Sequence, residues 1–124
     1  MYPYLIAAFL VLHGLIHAIG LATTFGNAEI EGFSGAPTLD VGAALPAFSL
    51  LWGVALAGML AAAVGVALGQ AWWRPVALVA AVVSTIAVTV WWQDARFGAV
   101  ANALVVIAVV AASRIPDVAH LTCV

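Results

Sequence analysis

The sequence predicts an all-α, polytopic membrane protein: one antiparallel bundle of four transmembrane helices filling residues 1–124 as a single domain. Three observations predict it. The chain is 67% hydrophobic, with a mean hydropathy of +1.24. Only 6% of its residues are charged, whereas a soluble domain carries about 25%. Several apolar runs approach or exceed the ~18–20 residues that cross a bilayer.

The first span is expected over residues 4–24. It lacks the Lys/Arg n-region of a signal peptide and outlasts a signal-peptide h-region, so it is expected to be a retained helix. The segment "FGNAEIEGFSGAPTLDVGAAL" follows, rich in Gly and holding Glu29, Glu31 and Asp40. The second span is expected over 46–69, with Pro46 in the first turn, where its missing N–H is harmless. "GQAWWR" reads as a tight turn. The third span is expected over 72–92. Its Trp72–Trp73 and Trp91–Trp92 pairs lie about 28 Å apart at ~1.5 Å per residue, which matches the two interfaces that tryptophan favours. "QDAR" is a second short turn. The fourth span, 97–114, falls between Arg96 and Arg114, near the lower length limit for crossing.

Arginine sets the expected orientation. Arg74 and Arg114 fall on the side of the N-terminus and Arg96 on the other. The positive-inside rule then puts both termini in the cytoplasm of a bacterial inner membrane, with the acidic loop outside. The second span carries Gly53, Ala57, Ala61, Gly65 and Gly69 at four-residue spacing. Such a ridge lets membrane helices approach closely, within one chain or between chains. Shorter versions are Gly14, Ala18 and Ala22 in the first span and Ala77 and Ala81 in the third.

Polar residues gather in the outer half. His13 lies mid-span, and His17 about 6 Å further out. Ile6, Leu10, His13, His17, Gly20 and Thr24 form one stripe at helical spacing, and Gly20 and Thr24 are expected to leave room above the histidines. By depth, His13 is expected level with Ser84 and Thr85, and His17 level with Thr89 and Asn102. These residues, with Asp94 and Arg96 at the third turn, outline a polar pocket between the first, third and fourth spans. Asp94 also suits a helix start, where the dipole favours an acid.

Ionisable side chains inside a membrane point to function by default, but neutral imidazole needs only two hydrogen-bond partners. Several readings of His13 and His17 therefore stand side by side. They can be interhelical glue. They can share one metal ion, as histidines four apart on a helix do, although zinc needs a third ligand. They can bind haem with help from a partner chain or Met59. They can face a quinone or lipid headgroup, or relay protons. His120 and Cys123 make no metal site and read as a surface tail. One cysteine forms no internal disulfide. With three arginines and no lysine there is no basic surface for nucleic acid, and no Walker motif for ATP-driven transport.

The stretches "LHGLIHAIG" and "WWQDARFGAVAN" resemble those of a group of small four-helix bacterial integral membrane proteins. The resemblance covers nearly the whole chain. It implies that His13, Gly14, His17, Trp92, Asp94, Arg96, Phe97, Gly98 and Asn102 match the group's pattern, and it implies no activity. The first functional expectation is a small, non-enzymatic accessory or structural subunit in the bilayer, packing against itself or other membrane chains. Alternatives are a membrane protein that binds a ligand or cofactor through His13 and His17, and a minimal oligomeric transporter.

Overall fold

The computed structural model describes residues 2–25 and 36–114. Every regular element among them is helical. Glu29, Glu31, His120, Cys123 and the side chain of Thr24 lie outside the described residues. Helix α1 spans Tyr2–Phe25, α2 Leu45–Ala67, α3 Trp73–Val90, α4 Trp92–Ala95 and α5 Gly98–Arg114. Three of them, α1, α2 and α3, are long and apolar enough to cross a membrane. The 17-residue α5 is apolar but shorter. The chain is a membrane protein built as a helical bundle.

The ends of the helices follow local chemistry. Asp40 accepts a hydrogen bond from the Gly42 N–H at 2.9 Å, a short Asx-type turn. The left-handed Gly42 (φ +56°) opens a 3₁₀ turn over Gly42–Ala44 that leads into α2. Pro46 sits in the first turn of α2. Helix α2 closes at Gly69, φ +68°. Gln70 N–H reaches Gly65 C=O at 2.9 Å and Gly69 N–H reaches Val66 C=O at 3.0 Å. This is the Schellman pattern, which needs a left-handed residue and so favours glycine. The turn read in "QDAR" contains the single helical turn α4.

Helix α1 packs along α2, α2 along α3, and α3 against α5, while α1 and α5 meet only sparsely. Glycines set the close approaches. A Cβ on Gly58 would stand 2.7 Å from the Ala80 Cβ, and one on Gly14 3.1 Å from the Met59 Cβ. The Gly53–Gly69 ridge of α2 is only partly a seam within the chain: Gly65 is buried against Trp72 and Trp73. Ala57 and Ala61 are exposed, and the inward face carries Ala55, Met59, Ala62 and Val66. Small residues occupy several faces of this helix, so four-residue spacing alone does not single out the packed one.

Two buried clusters fill the bundle. One end is packed by Leu10, Met59, Ala62, Val66, Trp73, Ala77, Val105 and Val109. At the other end Trp52 packs with Ala87, Val90 and Trp91. The tryptophan pairs split. Trp72 and Trp92 are exposed, but Trp73 and Trp91 are among the largest fully buried side chains. Half of the expected interfacial belt is core. Adjacent residues on a helix point about 100° apart, so the two members of a pair need not share an environment.

Candidate functional site

In the half of the bundle around Trp52 and Trp91, buried polar side chains meet. His13, His17, Ser84 and Asn102 are all at most 4% exposed. Their bonds tie α1, α3 and α5 together, and donor chemistry gives each bond a direction. The Thr85 hydroxyl donates to the Ala81 carbonyl at 2.7 Å. The hydroxyl proton is thereby committed, so Thr85 Oγ1 accepts from the Asn102 amide N–H at 3.1 Å. Asn102 Oδ1 must then face His13 Nε2, 2.7 Å away, and an amide oxygen only accepts. His13 Nε2 therefore carries the proton. In the same way His17 Nδ1 donates to the His13 carbonyl at 2.8 Å. His17 Nε2 is left to accept from the Ser84 hydroxyl at 2.6 Å.

The result is a directed set of bonds that begins at Ser84 and ends at Ala81, both on α3. It places a proton on His13 Nε2 and on His17 Nδ1 and leaves one nitrogen over. His13 Nδ1 is buried with no hydrogen-bond partner, and in a neutral imidazole with the proton on Nε2 it presents a lone pair. The indole Nε1–H of Trp52 is likewise buried and without a partner.

Both residues line a cavity of about 230 Å³. Its walls come from α1 (His13, Ile16, His17, Gly20), α2 (Trp52), α3 (Ser84, Val88) and the α4–α5 corner (Asp94, Phe97, Gly98). The aromatic rings run in series. His13 and His17 centroids are 4.8 Å apart, His17 and Trp52 5.8 Å, and Trp52 and Trp91 5.5 Å. Ile16 and Phe97 are 57% and 75% exposed. They form an apolar rim where α1 and α5 barely touch.

The sequence-predicted residues fall into three groups. His13, His17 and Asp94 line the cavity, and Asp94 is half-buried there. Asn102 and Thr85 hold His13 without lining it. Thr89 and Arg96 stand apart. Thr89 is exposed and donates to the Thr85 carbonyl of its own helix at 2.8 Å. Arg96 is exposed, its guanidinium 5.3 Å from the Phe97 ring centroid. The depth pairing also differs by a turn: His13 meets Asn102, and His17 meets Ser84. Matching by residue count assumes parallel axes, and a modest tilt shifts one helix past another by a turn.

Sequence reading missed Trp52. The space that Gly20 provides is occupied by its indole, for a Cβ on Gly20 would stand 2.4 Å from Trp52 Cδ2. The available signal was a glycine at the end of the histidine stripe, which marks where a neighbouring helix can seat a large ring.

The donor set argues against a metal shared by the two histidines. Three of the four imidazole nitrogens are engaged. Among the described residues no group of three or more His, Cys, Asp or Glu is placed to hold an ion. Met59 is buried beside Gly14 in the cluster with Leu10 and Trp73. Comparison with family models, with curated proteins and with solved structures gives no match.

Proposed function

We propose that this chain is a ligand-binding protein of the bacterial inner membrane, holding a small, mostly apolar molecule inside its bundle with His13 and His17 at the polar end. One observation carries the reading: a cavity of about 230 Å³ lined by both intramembrane histidines, of which His13 keeps an Nδ1 with no hydrogen-bond partner. Buried polar groups are nearly always satisfied, and an unsatisfied one in hydrocarbon costs several kcal/mol. The role proposed is binding rather than catalysis. The resemblance to small four-helix bacterial membrane proteins belongs to this proposal, since His13, His17, Asp94, Phe97 and Gly98 of the shared motifs line the cavity.

The test is direct. The protein is purified from membranes in mild detergent, extracted with organic solvent, and the extract analysed by mass spectrometry. A small lipophilic compound is expected in near-stoichiometric amount. It should be lost from Ala101→Phe, because Ala101 lines the cavity and the new ring would fill it. An extract holding only bulk phospholipid, identical for the two proteins, would sink the reading.

A second reading is favoured by a separate observation. The Gly53–Gly69 ridge is uncovered along Ala57 and Ala61, and such a face suits a second membrane helix. This supports an accessory-subunit role, alone or alongside ligand binding. Cysteine cross-linking from Ala57 to a neighbouring chain in native membranes would test it.

A further inference from the structure

We infer that the cavity is a slot for one unbranched hydrocarbon chain of about a dozen carbons, carried by a single-chain lipophilic molecule. The inference rests on the binding role proposed above and specifies the form of the ligand. The α1 side of the cavity runs from His13 through Ile16, His17 and Gly20 to Thr23. From His13 to Thr23 the helix rises about 15 Å, half of the ~30 Å hydrocarbon core. The facing wall follows the same course, from Ala101 through Gly98 to Ala95 and Asp94. The cavity is therefore about as long as one leaflet is deep. Its volume is only about 230 Å³, against ~150 Å³ for a compact cavity that takes benzene. Spread along about three turns of helix, that space is long and narrow. An extended chain advances about 3.5 Å per three backbone bonds, so the slot holds carbons in single file.

The chemistry of the walls agrees. Ile16, Ile19, Val88, Trp91, Phe97 and Ala101 are apolar. Polar neighbours spend their hydrogen bonds on the protein. His17 is engaged at both nitrogens, Ser84 bonds His17, and Thr23 donates to the Gly20 carbonyl. A polar group inside the slot would find few partners. A void, in turn, leaves the apolar lining without contact atoms, and a chain restores them. Access is from the side. Ile16 and Phe97 both line the cavity and are exposed, and α1 and α5 meet only sparsely there. A chain can pass between them from the lipid, leaving its terminal group near Thr23 and Asp94.

The experiment uses the full chain in digitonin, a detergent without a straight alkyl chain. The probe is methyl dodecanoate with a photoreactive diazirine at mid-chain, and labelled residues are mapped by tandem mass spectrometry. Val88 lines the slot, while Ile107 is exposed on α5 outside it. Labelling is expected at both, but only that of Val88 should be saturable. Three competitors are compared with unlabelled methyl dodecanoate at equal mole fraction in the micelle, so that partition from water cancels. They are methyl octanoate, the methyl ester of adamantane carboxylic acid, and the two-chain dilauroyl phosphatidylcholine. Methyl dodecanoate should protect Val88 about fivefold or more better than each, since a part-filled or misfitted slot forfeits contacts. Ala101→Phe and Ile19→Trp fill the slot from facing walls. Each should bring Val88 labelling to background, with Ile107 labelling and elution as in the wild type. Equal protection by any of the three competitors overturns the single-chain inference and leaves the cavity reading standing. If Val88 labelling is not saturable, or persists in both variants, the cavity reading fails with it.

Discussion

The proton on His13 Nε2 follows from bonds made at residues beyond that ring. Thr85 donates to Ala81, which fixes Asn102, which fixes His13. Changes at the far ends of this set should therefore be felt in the middle. Asn102→Leu removes the acceptor of the His13 Nε2–H and is expected to cost about 1–2 kcal/mol, because a buried donor is left bare. Ser84→Ala removes a single interhelical bond and should cost less, ~0.6 kcal/mol on average for such bonds and ~1.7 at most. The two sites meet through the adjacent imidazoles, so the double variant should deviate from additivity. Reversible unfolding in mixed micelles measures all three. Strict additivity would mean that the two imidazoles are held as independent contacts.

At the scale of the helices, glycine positions make a sharper forecast than glycine spacing. Gly58 faces the Ala80 Cβ at 2.7 Å, and alanine has no rotamer with which to retreat. Gly58→Ala must push α2 from α3, an overpacking of about 1–3 kcal/mol. Gly53 belongs to the regular ridge, yet a Cβ there meets only the Leu21 methyls at 3.7 Å. Gly53→Ala should therefore change stability by no more than about 0.5 kcal/mol. Thermal unfolding in detergent separates them, and the ridge reading predicts the reverse order. Gly20→Ala makes a different statement, since the clash falls on the Trp52 indole. It should shift tryptophan emission and weaken ligand binding, with Trp52→Phe partly relieving the stability loss. These contrasts mark how far the sequence was legible. Helix number and placement follow from hydropathy and from Pro46 and Gly69, so spans read as 4–24, 46–69, 72–92 and 97–114 correspond to helices at 2–25, 45–67, 73–90 and 98–114. His13, His17 and Asn102 could be picked out because polar atoms in an apolar helix need partners. Their pairing could not, because register depends on tilt. Nor could the inward Trp52 and Trp91, because apolar side chains satisfy lipid and core equally and leave no one-sided pattern.

The whole molecule is polarised along its axis. One end is a dense plug of Leu10, Met59, Val66, Trp73 and Val109. The other holds the imidazoles, the indoles and the cavity. Arg74 and Arg114 belong to the plugged end, while Arg96 sits at the cavity end beside Phe97. If arginine count decides orientation, the plugged end is cytoplasmic and the cavity lies toward the outer leaflet. A fluorescent protein fused after the C-terminus should then fold and fluoresce, and alkaline phosphatase fused there should be inactive. The margin is one arginine, so the arrangement should also be easy to disturb. Gln93 is exposed at the cavity end and Ala99 is half-buried there. Gln93→Arg with Ala99→Arg would raise the outer count to three against two and is expected to give mixed or inverted reporter activity. Arg96→Gln should sharpen the original orientation. If the double variant keeps the wild-type reporter pattern, arginine does not set the topology. The placement of the ligand site in the outer leaflet would then lose its basis, although the site itself would not.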